Sequence, residues 1–520
     1  MSQWAAAPQQ RQQLTLFTQR LDDAIPPEHT VRYLDEVLGQ MDWSHWEGRY
    51  HVRLGQPAIH PRVLAGVLLY GLLTRIRSSR GLEESLQVRL DFRWLAEGRN
   101  IDHTTLSEFR RKYPRELKTL FIQICVLARE LGLLPLQRLG YDGTRVQADN
   151  RRRGTRTPAQ LRQERDELAA KFEAELAQAE TEDCRNEELF GLDSSHQLPA
   201  DLRDARQRVA KIDAVLQDLE ALDSTAERIP VTDLDARTMP NKDGGFAANY
   251  TPTTLVDIDS GLIVATSVLN VVNEDKQMLP LVDATREQFQ ISSPPAVLAD
   301  GLMASGANIA GCEERGFAFY SPPACPAADP ATNPALRADP TQPVPEAEYD
   351  RLPQRTFQVK GEARTQLDKT AFVYDAEKDC YWCPAGQSLQ RKETRTEERG
   401  ATTRTRTRYQ ADRTACAGCV LKARCLPGKT AAKQIYREQF EEEHARHARH
   451  MAQPESKAIY DLRQHAVERP FAVIKQQFGL RRFLLRGLEQ VATEWSWAAL
   501  AFNLSLLLAF IRGRAGPAME

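Results

Sequence analysis

The chain has little net charge, no signal peptide at its start and only one long apolar run. Each of these absences limits the class of protein to which it can belong. Its 69 basic and 71 acidic residues leave a net charge of −2. The chain therefore has no overall basic excess of the kind that would indicate a nucleic-acid partner. The opening Met-Ser-Gln-Trp-Ala-Ala-Ala lacks the basic start and apolar core of a signal peptide, which predicts a cytoplasmic protein. With 520 residues, 42% hydrophobic and 27% charged, the chain has the composition of a folded soluble protein with two to four domains.

The one long apolar run lies near the C-terminus, between Trp495 and Ile511. Its length only just reaches that of a membrane-spanning helix. Asn503 and Ser505 interrupt it, and no second run of this kind accompanies it. We therefore expect a buried core helix rather than a membrane span, and no membrane partner.

Nine cysteines are an odd number, and five of them lie in the short stretch 380–425. Cys380-x-x-Cys383 and Cys416-x-x-Cys419 form two knuckle-like pairs, and Cys425 follows as a fifth thiol. In a cytoplasmic protein such clustering favours metal binding over disulfides. Because two such pairs can complete a tetrahedral site, we predict a structural Zn²⁺ held by four of the five. Buried cysteines without metal, or a redox pair, are the alternatives.

Changes in periodicity and composition predict an α+β or mixed α/β protein made of several segments. Near-heptad apolar positions on both sides of residues 191–199 predict a helical hairpin, with a dimerisation coiled coil as the alternative. The boundaries we predict are 1–135 for a helical N-terminal domain, 136–155 and 229–322 for two pieces of a mixed-sheet core, 156–228 for the inserted helical hairpin, 323–435 for a loop with the Cys-rich, zinc-ribbon-like insertion, and 436–520 for C-terminal helices that complete the core.

Three acidic residues stand in contexts that suit a metal-dependent site. Asp142 follows a strand-like run, Asp300 ends the strand-like Ala-Val-Leu-Ala-Asp, and Glu468 lies in a helical stretch. Carboxylates are the oxygen ligands that Mg²⁺ prefers, and two such ions about 4 Å apart can clamp both oxygens of a phosphoryl transfer. Two strand-end Asp and one helical Glu are the arrangement of an RNase H-like nucleic-acid enzyme. The acids that compete for the first position are Asp235, Asp257 and Asp259.

The residues around these acids resemble a bacterial insertion-sequence transposase of the DDE type, in the IS1182-type group related to the IS4- and IS5-like transposases. The resemblance runs over nearly the whole chain and is strongest at Asp142-Gly-Thr, at Asp300 and around Glu468. It departs at Gly301-Leu302, where the family commonly has one residue and then Gly-Tyr. It implies an RNase H-like catalytic core in which these three acids bind two Mg²⁺ or Mn²⁺ ions.

Related transposases carry a Tyr, Arg, Glu and Lys signature on the helix of the third acid, and Tyr460, Arg463, Glu468 and Lys475 resemble it. Glu468 and Lys475 are about two helical turns apart, so we expect them on one face, with the lysine reaching a DNA phosphate. Arg463 precedes Glu468 by one residue more than the signature has. The downstream basic residues that we also expect to contact DNA are Arg481, Arg482 and Arg486.

The resemblance implies a transposase that binds the terminal inverted repeats of its own element and performs metal-dependent DNA cleavage and strand transfer. Its partners would be double-stranded DNA at the element ends and at the target, bound by a homodimer, with DNA contacts from the helical N-terminal domain. Two alternatives stay open. One is an RNase H-like nuclease without strand transfer, and the other is a catalytically decayed or domesticated DNA-binding protein derived from a transposase.

Overall fold

The computed structural model of the chain describes residues 20–50, 57–150, 154–190, 200–221, 228–240, 244–359, 362–399, 402–426 and 430–515. It is a mixed α+β protein, as the sequence predicts. The N-terminal region is helical, and its helices are α1 (Thr30–Gly39), α2 (Ser44–Glu47), α3 (Pro61–Leu73), α4 (Ser79–Val88), α5 (Leu90–Leu95), α6 (His103–Lys112) and α7 (Pro114–Glu130).

Local sequence explains where these helices begin. Proline stands at the first turn of α3 and α7, where its missing N–H costs no hydrogen bond. Asp102 precedes α6 and accepts a hydrogen bond from the backbone N–H of Thr105 at 2.9 Å. Helix α3 is apolar on nearly every side, and it is buried from Pro61 to Leu72 except for its more polar Arg62. It therefore forms the centre of this helical region.

Strands begin after α7, and a pair of long helices follows them. The elements are β1 (Arg138–Gly143), β2 (Val146–Gln147), β3 (Thr155–Arg156), α8 (Pro158–Phe190), α9 (Ala200–Ala221) and β4 (Ile229–Pro230). Helices α8 and α9 pack together through Leu161, Ile212, Val215 and Leu216. The predicted linker at 191–199 lies outside the described residues.

The central sheet has seven strands, completed by β5 (Arg237–Pro240), β6 (Phe246–Asp257), β7 (Ile263–Leu269), β8 (Ala296–Leu298) and β9 (Ala318–Tyr320). Helix α10 (Asp275–Phe289) connects β7 to β8, and α11 (Gly306–Glu314) connects β8 to β9. The order is β2-β6-β1-β8-β9, with β5 and β7 also paired to β6. Strand β1 is antiparallel to β6 and parallel to β8, which is itself parallel to β9. The sheet is thus mixed.

A second sheet lies in the Cys-rich region of the chain. Its elements are β10 (Gln354–Val359), β11 (Glu362–Leu367), β12 (Val373–Asp375), β13 (Cys380–Trp382), β14 (Ser388–Arg399), β15 (Thr402–Ala411), α12 (Arg413–Ala417), α13 (Lys422–Cys425) and β16 (Gln434–Glu438). Strands β12 to β16 pair in chain order, and β10 pairs with β11. This region has a hydrophobic core of its own, which includes Tyr381, Leu389, Tyr409 and Ile435.

Three helices close the chain: α14 (Glu441–Met451), α15 (Pro454–Ala472) and α16 (Leu488–Ala515). Helix α15 continues through Pro470 into one wide turn, Val473–Gln477, in which the N–H of Phe478 reaches the carbonyl of Val473 at 3.0 Å. Val467 of α15 packs against Gly140, where any side chain would collide with it. The helix therefore lies directly on strand β1.

Helix α16 contains the long apolar run. By length and composition alone its segment Leu488–Gly513 could cross a membrane, but 67% of its most apolar stretch is buried inside the protein. It packs against α3, α7 and β7. Its polar Asn503 is fully buried and holds both backbone groups of Ile263, accepting from its N–H at 2.9 Å and donating to its carbonyl at 2.7 Å. The run is therefore a core helix, as the sequence predicts, and it joins the N-terminal helices and the sheet in one hydrophobic core.

Candidate active site

Two of the three predicted acids lie at the same edge of the central sheet. Strands β1 and β8 are parallel neighbours, and Gly140 pairs with Leu298. Asp142 and Asp300 are each two residues beyond that pair, so both lie at the carboxyl edge with the same side-chain parity. Neighbouring strands are about 4.8 Å apart. The fold therefore brings these two carboxylates together although the chain separates them widely.

Asp300 is fixed by the turn that follows its strand. Its Oδ1 accepts a hydrogen bond from the N–H of Leu302 at 3.0 Å, and its carbonyl accepts one from Ser321 Oγ at 2.7 Å. Ser321 is held in turn by His447, whose Nε2 lies 2.8 Å from the serine carbonyl. Leu302 itself is 78% exposed. The aspartate is therefore held at the strand end, beside an exposed apolar side chain.

Helix α15 places two of its signature residues beside these acids. The buried Arg463 has its Nη2 3.3 Å from Asp142 Oδ1 and donates to the carbonyl of Tyr141 at 3.3 Å. Burial raises the pKa of Tyr460, while Arg463 lowers it and both Asp300 and Asp142 raise it. Tyr460 therefore stays a neutral hydroxyl next to the two aspartates, and Arg463 compensates some of their charge.

Glu468 lies on the exposed side of the same helix. The preceding residue, Val467, is fully buried. Val467 stands one turn after Arg463, so both residues lie on the sheet-facing side of α15. Each helical residue turns the side chain by about 100°, so Glu468 points away from that buried stripe. The structure thus does not align Glu468 with Arg463, in keeping with the extra residue between them.

The remaining predicted DNA-binding residues divide into two groups. Lys475 points inward, and its Nζ donates to the carbonyl of Arg145 at 2.8 Å and to Thr144 Oγ1, so it fixes the segment after Asp142. The exposed group near the start of α16 consists of Arg481, Arg482 and Arg486. In this group, Arg482 and Arg486 each form an ion pair with Asp149 at 2.8 Å.

A fourth carboxylate, Glu274, lies beside the two aspartates and was not predicted. Burial raises its pKa to about 7, and Arg145 opposes this shift while Asp142 and Asp300 add to it. Its side chain is 12% exposed, and Arg145 Nη1 lies 3.5 Å from its Oε2. Its sequence context, Asn-Glu-Asp before a predicted helix, gives only a weak signal among 71 acidic residues.

The acids that compete with Asp142 have structural partners instead. Asp257 is fully buried and accepts hydrogen bonds from the N–H of Leu136 at 3.0 Å and of Ser260 at 2.8 Å. Asp259 pairs with Arg138. Asp235 Oδ2 accepts from the N–H of Leu488 at 2.9 Å, at the start of α16. Their contacts explain these three acids without a catalytic role.

The structure separates four of the five clustered cysteines from the fifth. Cys383, Cys416, Cys419 and Cys425 are partly buried against the same hydrophobic core. Burial, with smaller contributions from the other three thiols, raises the pKa of Cys425 to about 12, while Lys433 opposes this shift. Cys380 is 1% exposed within β13, and the charged neighbours that act on its pKa are Asp375, Lys378 and Asp379. These four thiols therefore interact electrostatically, and Cys380 is not among the groups that act on Cys425.

The chemistry of both clusters suits metal ions, but their side chains are not drawn together. Asp142, Asp300 and Glu274 offer oxygen donors for a hard cation such as Mg²⁺, and four thiols suit Zn²⁺. In the portion of the chain that the structure describes, no three His, Cys, Asp or Glu side chains stand close enough to hold an ion. Metal binding at either cluster would therefore require the side chains to move inward.

Two family models match the chain. One, described as "Transposase DDE domain", matches residues 382–508, and the other, described as "Transposase domain (DUF772)", matches residues 19–112. The first match includes Glu468 and the whole of α15, and the second covers α1 to α6. Asp142, Glu274 and Asp300 lie outside both. No curated protein matches the chain.

Proposed function

The chain belongs to the insertion-sequence DDE transposases of the IS1182 type, and on that basis we propose that it binds the terminal inverted repeats of its own element, cuts there and joins the freed strand to target DNA. The observation that carries this proposal is the juxtaposition of Asp142 and Asp300 at the carboxyl edge of two parallel strands. A site of this kind needs carboxylates on rigid elements, which these strands provide.

We assign Asp142, Asp300 and Glu468 as the catalytic acids that would hold Mg²⁺ or Mn²⁺, with two ions expected. When bound, such ions polarise the phosphodiester and lower the pKa of a water that attacks it. The chain's own contribution is to position the acids, and Arg463 and Tyr460 support this by contacting or flanking Asp142. Glu468 would have to turn toward the strand edge on binding DNA or metal.

The strand order and the helices on the sheet support an RNase H-like core interrupted by insertions. Under this proposal the core comprises 136–155, 229–322 and 436–520, and the insertions are the hairpin 156–228 and the Cys-rich region 323–435. The helical N-terminal region, 1–135, is the expected DNA-binding domain, and the DUF772 match over most of it supports a transposase role.

DNA contact by the C-terminal region would come first from Arg481, Arg482 and Arg486, because these guanidinium groups are exposed. Asp149 binds two of them, so a DNA phosphate would compete with this carboxylate. Arg463, Tyr460 and Lys475 are more deeply placed and would contact a strand only once it enters the acid cluster. Cutting both element ends needs two active sites, so we expect a homodimer on DNA, in the cytoplasm.

We further propose a structural Zn²⁺ bound by Cys383, Cys416, Cys419 and Cys425. Cys383 begins a tight turn in which the N–H of Gly386 donates to its carbonyl at 2.9 Å and the N–H of Gln387 reaches its Sγ at 3.3 Å. Such backbone donors stabilise a thiolate ligand. The other three cysteines come from the α12–α13 segment, so the ion would tie this helical pair to the turn after β13.

Metal analysis of the purified chain tests the zinc site. We expect about one equivalent of zinc in the wild type, loss of zinc in Cys383→Ser and Cys425→Ser, and retention in Cys380→Ala. Retention in Cys425→Ser together with loss in Cys380→Ala would reverse the assignment. A zinc-free wild type would leave the four thiols as core residues.

Strand nicking of a plasmid that carries the DNA flanking the gene tests the main proposal, with Mg²⁺ or Mn²⁺ present. We expect cleavage at the element ends by the wild type and by Asp461→Asn, an exposed acid on α15. Asp142→Asn, Asp300→Ala and Glu468→Gln should abolish it. Cleavage without joining would favour a nuclease, and binding without cleavage would favour a decayed or domesticated DNA-binding protein.

A further inference from the structure

Glu274 is held between the two segments that carry the catalytic aspartates. On the side of Asp142, the hydroxyl of Tyr141 donates to the Glu274 carbonyl at 3.0 Å. A Cβ at Gly143 would lie 2.6 Å from the Glu274 carboxylate, so any other residue after Asp142 would displace this side chain from its present position. Glu274 therefore contacts the residues on both sides of Asp142.

On the side of Asp300, one amide fixes the same segment. Asn308 Nδ2 donates to the carbonyl of Asp275 at 3.0 Å and to that of Met303 at 3.0 Å. Asp275 follows Glu274 in the chain, and Met303 ends the short turn that begins after Asp300. The start of α10 and the Asp300 turn thus form one rigid unit. Glu274 approaches the strand end from the face of Tyr141, opposite the face covered by α15.

One oxygen of the Glu274 carboxylate lies near a cation but has no hydrogen bond in the part of the chain that the structure describes. Its Oε2 is buried and has no hydrogen-bond partner among the described residues. Arg145 is its nearest cation, at 3.5 Å, but Arg145 already donates to Thr251 Oγ1 and to the carbonyl of Val272. A buried carboxylate oxygen without a donor is costly unless another positive group approaches it.

We propose that Glu274 is a fourth carboxylate of the catalytic centre and binds a divalent cation together with Asp142 and Asp300. This proposal rests on the proposed function, because it assigns a further ligand to the same site. A cation held by Asp142 would lie near Gly143, the next residue, whose backbone borders the Glu274 carboxylate. It would also give Oε2 a closer positive partner than the guanidinium of Arg145, which lies 3.5 Å away without a hydrogen bond. A purely structural role would instead consist of the Arg145 ion pair alone.

Manganese binding by the full chain distinguishes these roles without relying on activity. Free Mn²⁺ is measured by electron paramagnetic resonance in titrations of the wild type, Glu274→Gln, Asp300→Asn and a control, Glu287→Gln. Glu287 lies exposed near the other end of α10, so it receives the same chemical change on the same helix. We expect Glu274→Gln and Asp300→Asn to weaken binding at least about 10-fold, and Glu287→Gln to leave it unchanged.

Melting curves without metal show whether each variant is folded. If Glu274→Gln does not fold, Gly143→Ala replaces it, since the added methyl displaces the carboxylate without changing any charge. Wild-type affinity in the folded Glu274 variant, with binding lost in Asp300→Asn, would overturn the role of Glu274 and leave the proposed function intact. A wild type that neither binds Mn²⁺ nor cleaves its element ends would refute both.

Discussion

Replacing Asn503 by leucine should destabilise the protein, although it makes the C-terminal apolar run more hydrophobic. In the structure Asn503 is fully buried and completes the hydrogen bonding of Ile263 on β7, at 2.9 Å for the N–H and 2.7 Å for the carbonyl. Leucine at this position would leave the buried N–H of Ile263 without an acceptor. The carbonyl of Ile263 would keep only a weak hydrogen bond from the thiol of Cys125, at 3.6 Å. Each lost partner costs about 1–3 kcal/mol.

The gain from leucine should be smaller than this loss. Burying its side chain could return about 1.5–3 kcal/mol, but fitting a branched group into a site shaped for an amide costs about 1–3 kcal/mol. We therefore expect a net loss of about 2–4 kcal/mol in the free energy of unfolding. Urea denaturation followed by tryptophan fluorescence would measure it, because Trp495 and Trp497 are buried on the same helix.

Ser505→Leu is the matched control, because Ser505 lies on the same helix and bonds only to the carbonyl of Phe502 in its own turn. The control should change stability by less than about 1 kcal/mol, since no tertiary hydrogen bond is lost. If Asn503→Leu were as stable as the wild type, or more so, α16 would not be packed on β7 as described. Recovery of that variant in the membrane fraction would support a spanning helix instead.

Two further predictions concern buried charged groups. Burial lowers the pKa of His447, so protonation favours the unfolded state, and stability should fall as pH drops through about 6.5, the usual histidine value. Melting temperatures between pH 8 and 5 should therefore decline less in His447→Gln than in the wild type, whereas the exposed His45→Gln should follow the wild type. The second group is Glu494, whose side chain is 6% exposed and forms an ion pair with Arg77 at 2.8 Å. Its carboxylate also accepts hydrogen bonds from backbone N–H groups of the segment that carries Arg482. Glu494→Gln should lower the free energy of unfolding, measured by urea denaturation, by about 3–5 kcal/mol. The exposed Glu489→Gln is the control, and equal stability of the two variants would refute this prediction.

Local sequence patterns predict the mixed fold, the core helix α16 and the two strand-end acids. Strand alternation and a terminal acid are local features, so Asp142 and Asp300 can be identified from short segments. Their common edge follows from the parallel pairing of β1 with β8. Glu274 has no such local signal, because its role depends on where the loop between β7 and α10 meets β1. That placement is set by long-range contacts from Tyr141 and Asn308.

Cysteine spacing predicts a cluster but not its membership. Cys380-x-x-Cys383 looks like one knuckle in the sequence, yet the two thiols lie in different surroundings. Cys380 belongs to strand β13 and is buried within the sheet, whereas Cys383 follows the strand in a tight turn. Because strand side chains alternate in direction while turn residues do not, spacing alone cannot decide which thiol joins Cys425.

The position of Glu468 shows how one extra residue changes a helix face. In a regular α-helix Glu468 and Lys475 would share a face, and Arg463 and Lys475 would differ by about 120°. The wide turn Val473–Gln477 adds about one residue to the helix and rotates the residues after it by about 100° in the opposite sense. Lys475 is thereby brought to the face of Arg463, and both side chains reach the segment around Asp142. Glu468 stands before this turn and is left on the exposed face, so the catalytic role proposed for it requires its side chain to swing toward the strand edge.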